Sequence, residues 1–216
     1  MHTYQELDSF EYWSITDKDQ FSISVLKGLI MDAVRKANSG HPGGAMSSAD
    51  FIYLLYKDYL KFNPKDPNWF DRDRFILSGG HMSMLQYSIL HLVGWMKLSE
   101  IKKFRQLGSQ TPGHPEVEIP GVECTTGPLG QGFAMGVGMA LAEAYLSSLI
   151  SNDDKDSKKL IDHFTYVLAT DGDLQEPVAL GAAAIAGHLG LNKLVVYYDA
   201  NDAQISGKVS HSDSVD

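Results

Sequence analysis

The stretch FTYVLATDGDLQEPVALGAAAIAGHLGLNKLVVYYDAND (164–202) decides the fold. Phe164 to Ala169 is an apolar run of strand length, and Asp171-Gly172-Asp173 is turn chemistry. Val178 to Leu189 is an Ala-rich run of helix length. Leu194 to Tyr198 is a second apolar strand, ending at Asp199-Ala200-Asn201. Strand, glycine turn, helix, strand is a βαβ unit, and such units imply parallel strands in an α/β sheet. The expected fold class is α/β, a parallel sheet flanked by helices.

In open α/β sheets, ligands sit beyond the carboxyl ends of the strands. Asp171 and Asn201 lie just past two such ends, and on neighbouring strands their side chains converge. A carboxylate and an amide oxygen are hard ligands, suited to Mg²⁺ or Ca²⁺ and poor for zinc. A magnesium site with so few protein ligands expects phosphates to complete its shell. Gly172 opens the following helix, where free N–H groups favour anions. The plainer alternative is that Asp171 is an ordinary helix cap and Asn201 an ordinary turn residue; spacing alone leaves both open. GxxxxGK[ST] is absent, and neither strand is followed by GxGxxG.

Working outward, residues 1–18 read as an arm without clear periodicity. Phe21, Val25, Leu26, Leu29, Ile30 and Val34 recur at helical steps, predicting a helix over 19–37. SGHPGG (39–44) ends it, and Ser47 or Ser48 can cap a second helix over about 48–60. A polar loop precedes a short buried strand at Phe75-Ile76-Leu77. Gly79-Gly80 leads into a helix from about 81 to 93, and another covers about 99–106. Residues 108–130 form a long segment without regular structure, and ordered loops of that length are more often functional than decorative. A helix over 131–150 carries Gly132, Gly136 and Gly138, which suggests close packing or a nearby ligand. Residues 151–160 read as a charged linker.

The 216 residues suit one large domain and a sizeable core. The formal net charge of −9 argues against a generic nucleic-acid binder and a polybasic membrane anchor, but not against a local phosphate site. One cysteine, Cys124, forms no internal disulfide and is too few for a cysteine zinc site, so a cytoplasmic location is expected. The N-terminus lacks the apolar core of a signal peptide. The longest apolar or glycine run, about ten residues from Phe133 to Ala142, is short of the roughly 20 needed to span a membrane.

ATDGDLQEP (169–177), followed by YYDANDAQISG (197–207), resembles the thiamine diphosphate signature of a GDG and a later Asn. SGHPGG (39–44), RDRFILSGGHMSMLQYSILHL (72–92) and FRQLGSQTPGHPEVEIPGVECTTGPLGQG (104–132), in that order, resemble the transketolase family specifically. The match covers about residues 19–210. The resemblance implies a thiamine diphosphate-binding fold. It implies that Asp171 and Asn201 hold a divalent metal (Mg²⁺, with Ca²⁺ or Mn²⁺ as substitutes), with the Ala203 carbonyl as a third ligand. Gly172 then donates its N–H to the diphosphate, which His81 also contacts. Gly127, Pro128 and Leu129 lie against the aminopyrimidine, and His41 and His114 face the reactive carbon and the sugar. The implied reaction moves a two-carbon ketol unit between sugar phosphates, and neutral histidines suit its proton transfers. A dihydroxyacetone synthase-like acceptor, or a non-catalytic assembly module, is the alternative.

His91 and His188 read as structural residues of apolar helices, His2 and His163 as solvated surface, and His211 takes no assignment. Glu176 resembles a family glutamate in a carboxylate network between subunits, or is a first-turn glutamate favoured by the helix dipole. Three positions depart from the family pattern: Thr170 and Pro177 replace glycines, and Asp173 adds a carboxylate beside the metal motif. The resemblance also implies a second, pyrimidine-binding domain whose glutamate activates the cofactor. Residues 19–216 are then an incomplete diphosphate-binding domain that needs further domains or a second polypeptide, in a homodimer or a split-subunit heterotetramer.

Overall fold

The computed structural model describes residues 9–150, 160–204 and 207–211. Its main sheet has three parallel strands in the order β1-β2-β3: Arg74–Leu77, Thr165–Thr170 and Leu194–Asp199. Phe75 pairs with Tyr166, and Thr170 with Asp199, so the carboxyl ends of all three strands lie on one edge. A short antiparallel pair, β4 (Ala203–Gln204) and β5 (Gly207–Lys208), comes after β3. The proposed linker at 151–160 lies outside the described residues except for Leu160, as does His2.

Helix α1 (Ile15–Ala37) begins four residues before the predicted start at 19, because Ser14 caps it by accepting from the Asp17 N–H at 3.1 Å. It ends where Asn38 turns left-handed at φ 49°. SGHPGG ends α1 as expected, but it also opens a helix, α2 (Pro42–Ser47), with the proline in the first turn. Ser47 and Ser48 do not cap the next helix: the Ser47 hydroxyl donates back to the Gly44 carbonyl, and Ser48 is buried without a cap bond. That helix, α3 (Ala49–Leu54), runs on into a π-helical turn at Leu55–Tyr59. A 3₁₀ turn at Gly80–Met82 leads into α4 (Ser83–Leu92), and α5 (Leu98–Ile101) is only one turn long. Helix α6 (Gln131–Ile150) matches its expected range. Asp171-Gly172-Asp173, expected as a turn, is wound into a single helical turn, α7 (Asp171–Leu174), before α8 (Pro177–Leu189).

Period-two alternation sorts the strand residues onto two cores. Phe75, Leu77 and Leu168 join Leu26, Ile30, Ile52 and Leu85 from α1, α3 and α4. Ile76, Val167 and Ala169 face the other way, onto Phe133 and Val137 of α6 and Ala179 and Ala182 of α8. Helices thus cover both sides of the sheet, as parallel sheets require.

Helix α6 is long and apolar enough to cross a membrane by length and composition, which the shorter run in the sequence concealed. It packs on the sheet instead, through its glycines. A Cβ at Gly132 would lie 2.6 Å from the Ser78 Cα, and one at Gly136 would lie 2.5 Å from a Val167 methyl. Its buried Glu143 accepts from Lys193 at 2.7 Å. Lys193 also pairs with Asp162, at the amino-terminal side of the sheet. His163 lies there too, and it is not solvated surface. It is buried, with Nδ1 3.3 Å from Asp71 Oδ1, and burial holds its imidazole below the usual range. His188, near the end of α8, is exposed rather than packed. His91 does hold structure, its Nδ1 2.8 Å from the Met96 carbonyl.

The glycine contacts set up a paired test. Gly132→Ala meets backbone at Ser78, which cannot swing aside, so it will lower the unfolding free energy by about 1–3 kcal/mol. Gly138 sits on the same helix with open space around its Cβ position. Gly138→Ala will therefore be neutral or stabilising, by up to about 1 kcal/mol. Urea melts of the two variants check this, and equal losses would refute close packing as the role of Gly132.

Candidate cofactor and metal site

The segments singled out in the sequence meet at the carboxyl edge of the sheet. After β1, Gly79 approaches the end of β2 so closely that a Cβ there would lie 2.8 Å from the Thr170 methyl. Gly80 presses on the 126–127 backbone in the same way, with the Gly127 nitrogen 2.9 Å from its Cβ position. The Thr126 hydroxyl donates to the Leu77 carbonyl at 2.9 Å, tying the long loop to the end of β1. Gly44 in α2 reaches the end of β3, where its Cβ position is 3.3 Å from Asp199 Oδ2. SGHPGG, SGGH, GPLG and DGD are therefore neighbours in space.

Asp171 is buried at the end of β2, and both its oxygens are engaged by the chain around β3. The Tyr198 hydroxyl donates to Oδ1, and the Asn201 N–H donates to Oδ2 at 2.8 Å. Asn201 Oδ1 accepts from the Ala203 N–H at 2.9 Å, and its Nδ2 donates to Asp199 Oδ2 at 3.1 Å. Asp171 and Asn201 are thus joined, but through the Asn201 backbone N–H; the Asn201 side chain itself bonds Ala203 and Asp199. Among the described residues no three His, Cys, Asp or Glu side chains are arranged to hold a metal. The donors available to a cation are two carboxylates, Asp171 and Asp199, one amide oxygen and backbone carbonyls, each with lone pairs beyond those in hydrogen bonds. That set fits a hard divalent ion whose shell is completed by phosphate oxygens. A Cβ at Gly172 would enter the space toward Leu129, 3.5 Å from its Cδ1, and toward the Gln204 Cβ at 4.0 Å. Glycine keeps that gap free beside the N–H groups that open α7.

The three candidate histidines also gather. The rings of His41 and His81 are edge-to-face with centroids 5.3 Å apart. A Cβ at Gly127, whose φ is 152°, would lie 3.4 Å from the His114 ring. His41 and His114 are exposed and His81 is half-buried. Burial, with smaller contributions from His41 and His114, pushes the His81 imidazole down to about 4. Burial, then the Arg105 charge and His41, also holds His114 below the usual range. Both are neutral imidazoles at pH 7.

Several participants are hidden in the sequence. Tyr198 and Asp199 read only as the end of an apolar strand, yet one clasps Asp171 and the other Asn201. Burial first, and then Asp171, raise the Asp199 carboxyl above its usual range. Asp173 is fully buried, and its Oδ1 accepts from the Gly130 N–H at 2.5 Å. It braces the GPLG turn, and burial raises its carboxyl too. Thr170 is extended at φ −122°, ψ 168°, so no glycine is needed there. Glu176 is the residue before α8 and makes no side-chain cap bond; its Cβ packs on Gly130. Pro177 takes the first helical position. His211 is exposed in a 3₁₀ turn at Val209–His211.

Residues 18–216 match the family model for "Transketolase, thiamine diphosphate binding domain". A transketolase of Staphylococcus epidermidis is 53% identical over 201 residues, which are 93% of this chain and 30% of the relative. One of Staphylococcus aureus is 52% identical over 195 residues, 90% of this chain and 29% of the relative. Among solved structures, transketolase from Leishmania mexicana superposes with a TM-score of 0.87 at 44% identity, over 91% of this chain and 29% of that one. The Pichia stipitis transketolase complex with sedoheptulose-7-phosphate gives 0.87 at 46% identity, over 92% and 29%. This chain thus spans about 30% of the length of the relatives it matches.

The low His81 value carries a sign. An unfolded histidine titrates near 6.5. Between that pH and about 4 the unfolded chain binds more protons at this position, so stability falls as the pH is lowered through the window. NMR titration will put the His81 midpoint near 4. The urea midpoint of His81→Gln will fall less than that of the wild type between pH 7 and 4.5. A His81 midpoint near 6.5 would sink the account.

Proposed function

The chain belongs to the transketolase family, within its thiamine diphosphate-binding domain, and from that premise we propose that it supplies the diphosphate and metal half of a ketol-transfer site. The observation that carries this reading is the meeting of Asp171, Asn201 and Ala203 with Gly172, Leu129 and the three histidines at one sheet edge. Asp171, Asn201 and the Ala203 carbonyl hold Mg²⁺, with Ca²⁺ or Mn²⁺ as workable substitutes. The Gly172 N–H and the neutral His81 ring bind diphosphate oxygens. Gly127, Pro128 and Leu129 bear on the aminopyrimidine.

Thiamine diphosphate, held there, would supply the nucleophilic carbon that two-carbon transfer requires. The rest falls to side chains. His41 and His114 bind the hydroxyls of the ketose and aldose phosphates and orient their carbonyls. As a neutral imidazole at pH 7, His114 takes a proton from a sugar hydroxyl at a ring nitrogen and returns it later. We also propose that the pyrimidine-binding half comes from other domains or a second polypeptide, in a dimeric or split-subunit assembly. On the single buried thiol, Cys124, we place this chemistry in the cytoplasm.

Mg²⁺ and thiamine diphosphate together, at 100 times the dissociation constant, will raise the unfolding free energy by about 2.7 kcal/mol. Asp171→Asn and Asn201→Ala will each lose most of that gain, measured against their own ligand-free melts. The chain mixed with a polypeptide carrying the pyrimidine-binding part will convert xylulose 5-phosphate and ribose 5-phosphate. No ligand-dependent stabilisation, and no conversion with both parts folded, would defeat the proposal.

A further inference from the structure

Arg105 has no part in the chemistry assigned so far, yet it touches two of the three histidine-bearing segments. Its Nη1 donates to Ser39 Oγ at 2.8 Å, two residues before His41. Its guanidinium also lies against Gly113, the residue before His114. A Cβ at Gly113 would be 3.0 Å from Nε and 3.2 Å from Cζ, so glycine is what lets the plane approach. Nε is buried without a hydrogen-bond partner, enclosed by that contact.

Arg105 is aimed by its backbone. Its φ is 59°, a conformation uncommon outside glycine, and its N–H donates to the Thr111 carbonyl at 2.9 Å. The 112–114 segment is pinned in turn by two hydroxyls of α4. Ser83 donates to the Gly113 carbonyl at 2.9 Å, and the Tyr87 hydroxyl lies 3.0 Å from the Pro112 carbonyl and 3.1 Å from that of His114. The segment is thus held between α4 and the guanidinium, at one side of an open groove of about 660 Å³ bounded by Arg105, His114 and Glu116.

We propose that Arg105 is a positioning residue that straps the His41 segment to the His114 segment and fixes the charge facing His114. The bridge needs a planar group with donors on one edge and a flat face for Gly113, which a lysine ammonium lacks. Among the described residues, the charged and titratable groups around His114 are Arg105, His41, His81, Glu116 and, from α4, Tyr87, whose hydroxyl burial keeps protonated. The permanent guanidinium charge acts against a proton on His114, in the same direction as burial. The value of the strap to catalysis rests on the roles proposed for His41 and His114. The strap itself does not, and it is read without cofactor.

The test is an NMR titration of the His114 ring in the chain as it stands, with Ser39→Ala, Arg105→Gln, Arg105→Lys and the double variant Ser39→Ala/Arg105→Gln. Arg105→Gln is expected to move the His114 midpoint up by about half a pH unit, the size of one screened charge nearby. Ser39→Ala frees the guanidinium and moves it the same way by less. The double variant moves it no further than Arg105→Gln alone, because both remove one interaction. Arg105→Lys keeps the charge and moves it less than Arg105→Gln. An unmoved His114 midpoint in Arg105→Gln, or additive shifts in the double variant, would overturn the proposal. Ser39 is exposed, so Ser39→Ala folds and decides alone if Arg105→Gln does not: an unmoved midpoint there is equally fatal. Loss of cofactor-dependent stabilisation would instead strike the functional reading and leave the strap standing.

Discussion

Both carboxylate oxygens of Asp171 are bound by the chain around β3, one by the Tyr198 hydroxyl and one by the Asn201 N–H. A buried carboxylate is costly unless its oxygens are satisfied, and hydrogen bonds to a charged acceptor are worth more than neutral ones. The clasp therefore does two things together. It makes it tolerable to bury a charge at the end of β2, and it holds the turn after β3, where the Asn201 amide oxygen accepts from the Ala203 N–H. The parallel register makes this possible, since Thr170 pairs with Asp199 and the two strands stop level.

Around that clasp the chain is pulled close by glycines whose missing side chains are filled by other segments. Gly79 admits the Thr170 methyl, Gly132 admits the backbone of Ser78, and Gly130 admits Glu176 and Val178. Ser78 links the first two places, because its hydroxyl also accepts the Phe133 N–H at 2.7 Å near the start of α6. Gly172 differs from these. Its Cβ space borders Leu129 and Gln204 at ordinary contact distance, so nothing in the fold demands glycine there.

The βαβ unit is legible because its strands are apolar runs of the right length, and because the turn chemistry between them is unambiguous. The meeting of Asp171 with Asn201 comes from the rule for strand ends. The roles of His41, His81 and His114 rest on the resemblance, and the structure adds that their segments are neighbours. The features that stay hidden have a common cause: a side chain whose partner is remote in sequence leaves no periodic trace. His163 looks like surface because its partner, Asp71, is 92 positions away. Tyr198 looks like one more apolar strand residue. Ser48 looks like a cap because caps are local, but tertiary packing buries it. SGHPGG reads as a break, although proline in a first turn both ends one helix and starts the next.

The three departures from the family pattern differ in weight. Glycine at position 170 would matter only if the backbone there were left-handed, and it is extended; the Thr170 side chain meets the hollow of Gly79. Pro177 sits where its missing N–H costs nothing. Asp173 is the one that changes the charge count. Its Oδ1 is hydrogen-bonded to the Gly130 N–H, so the added carboxylate braces the turn that presents Gly127, Pro128 and Leu129. The extra acid thus serves the geometry of the 127–130 turn, and Asp171 and Asp199 remain the carboxylates that are bonded to Asn201.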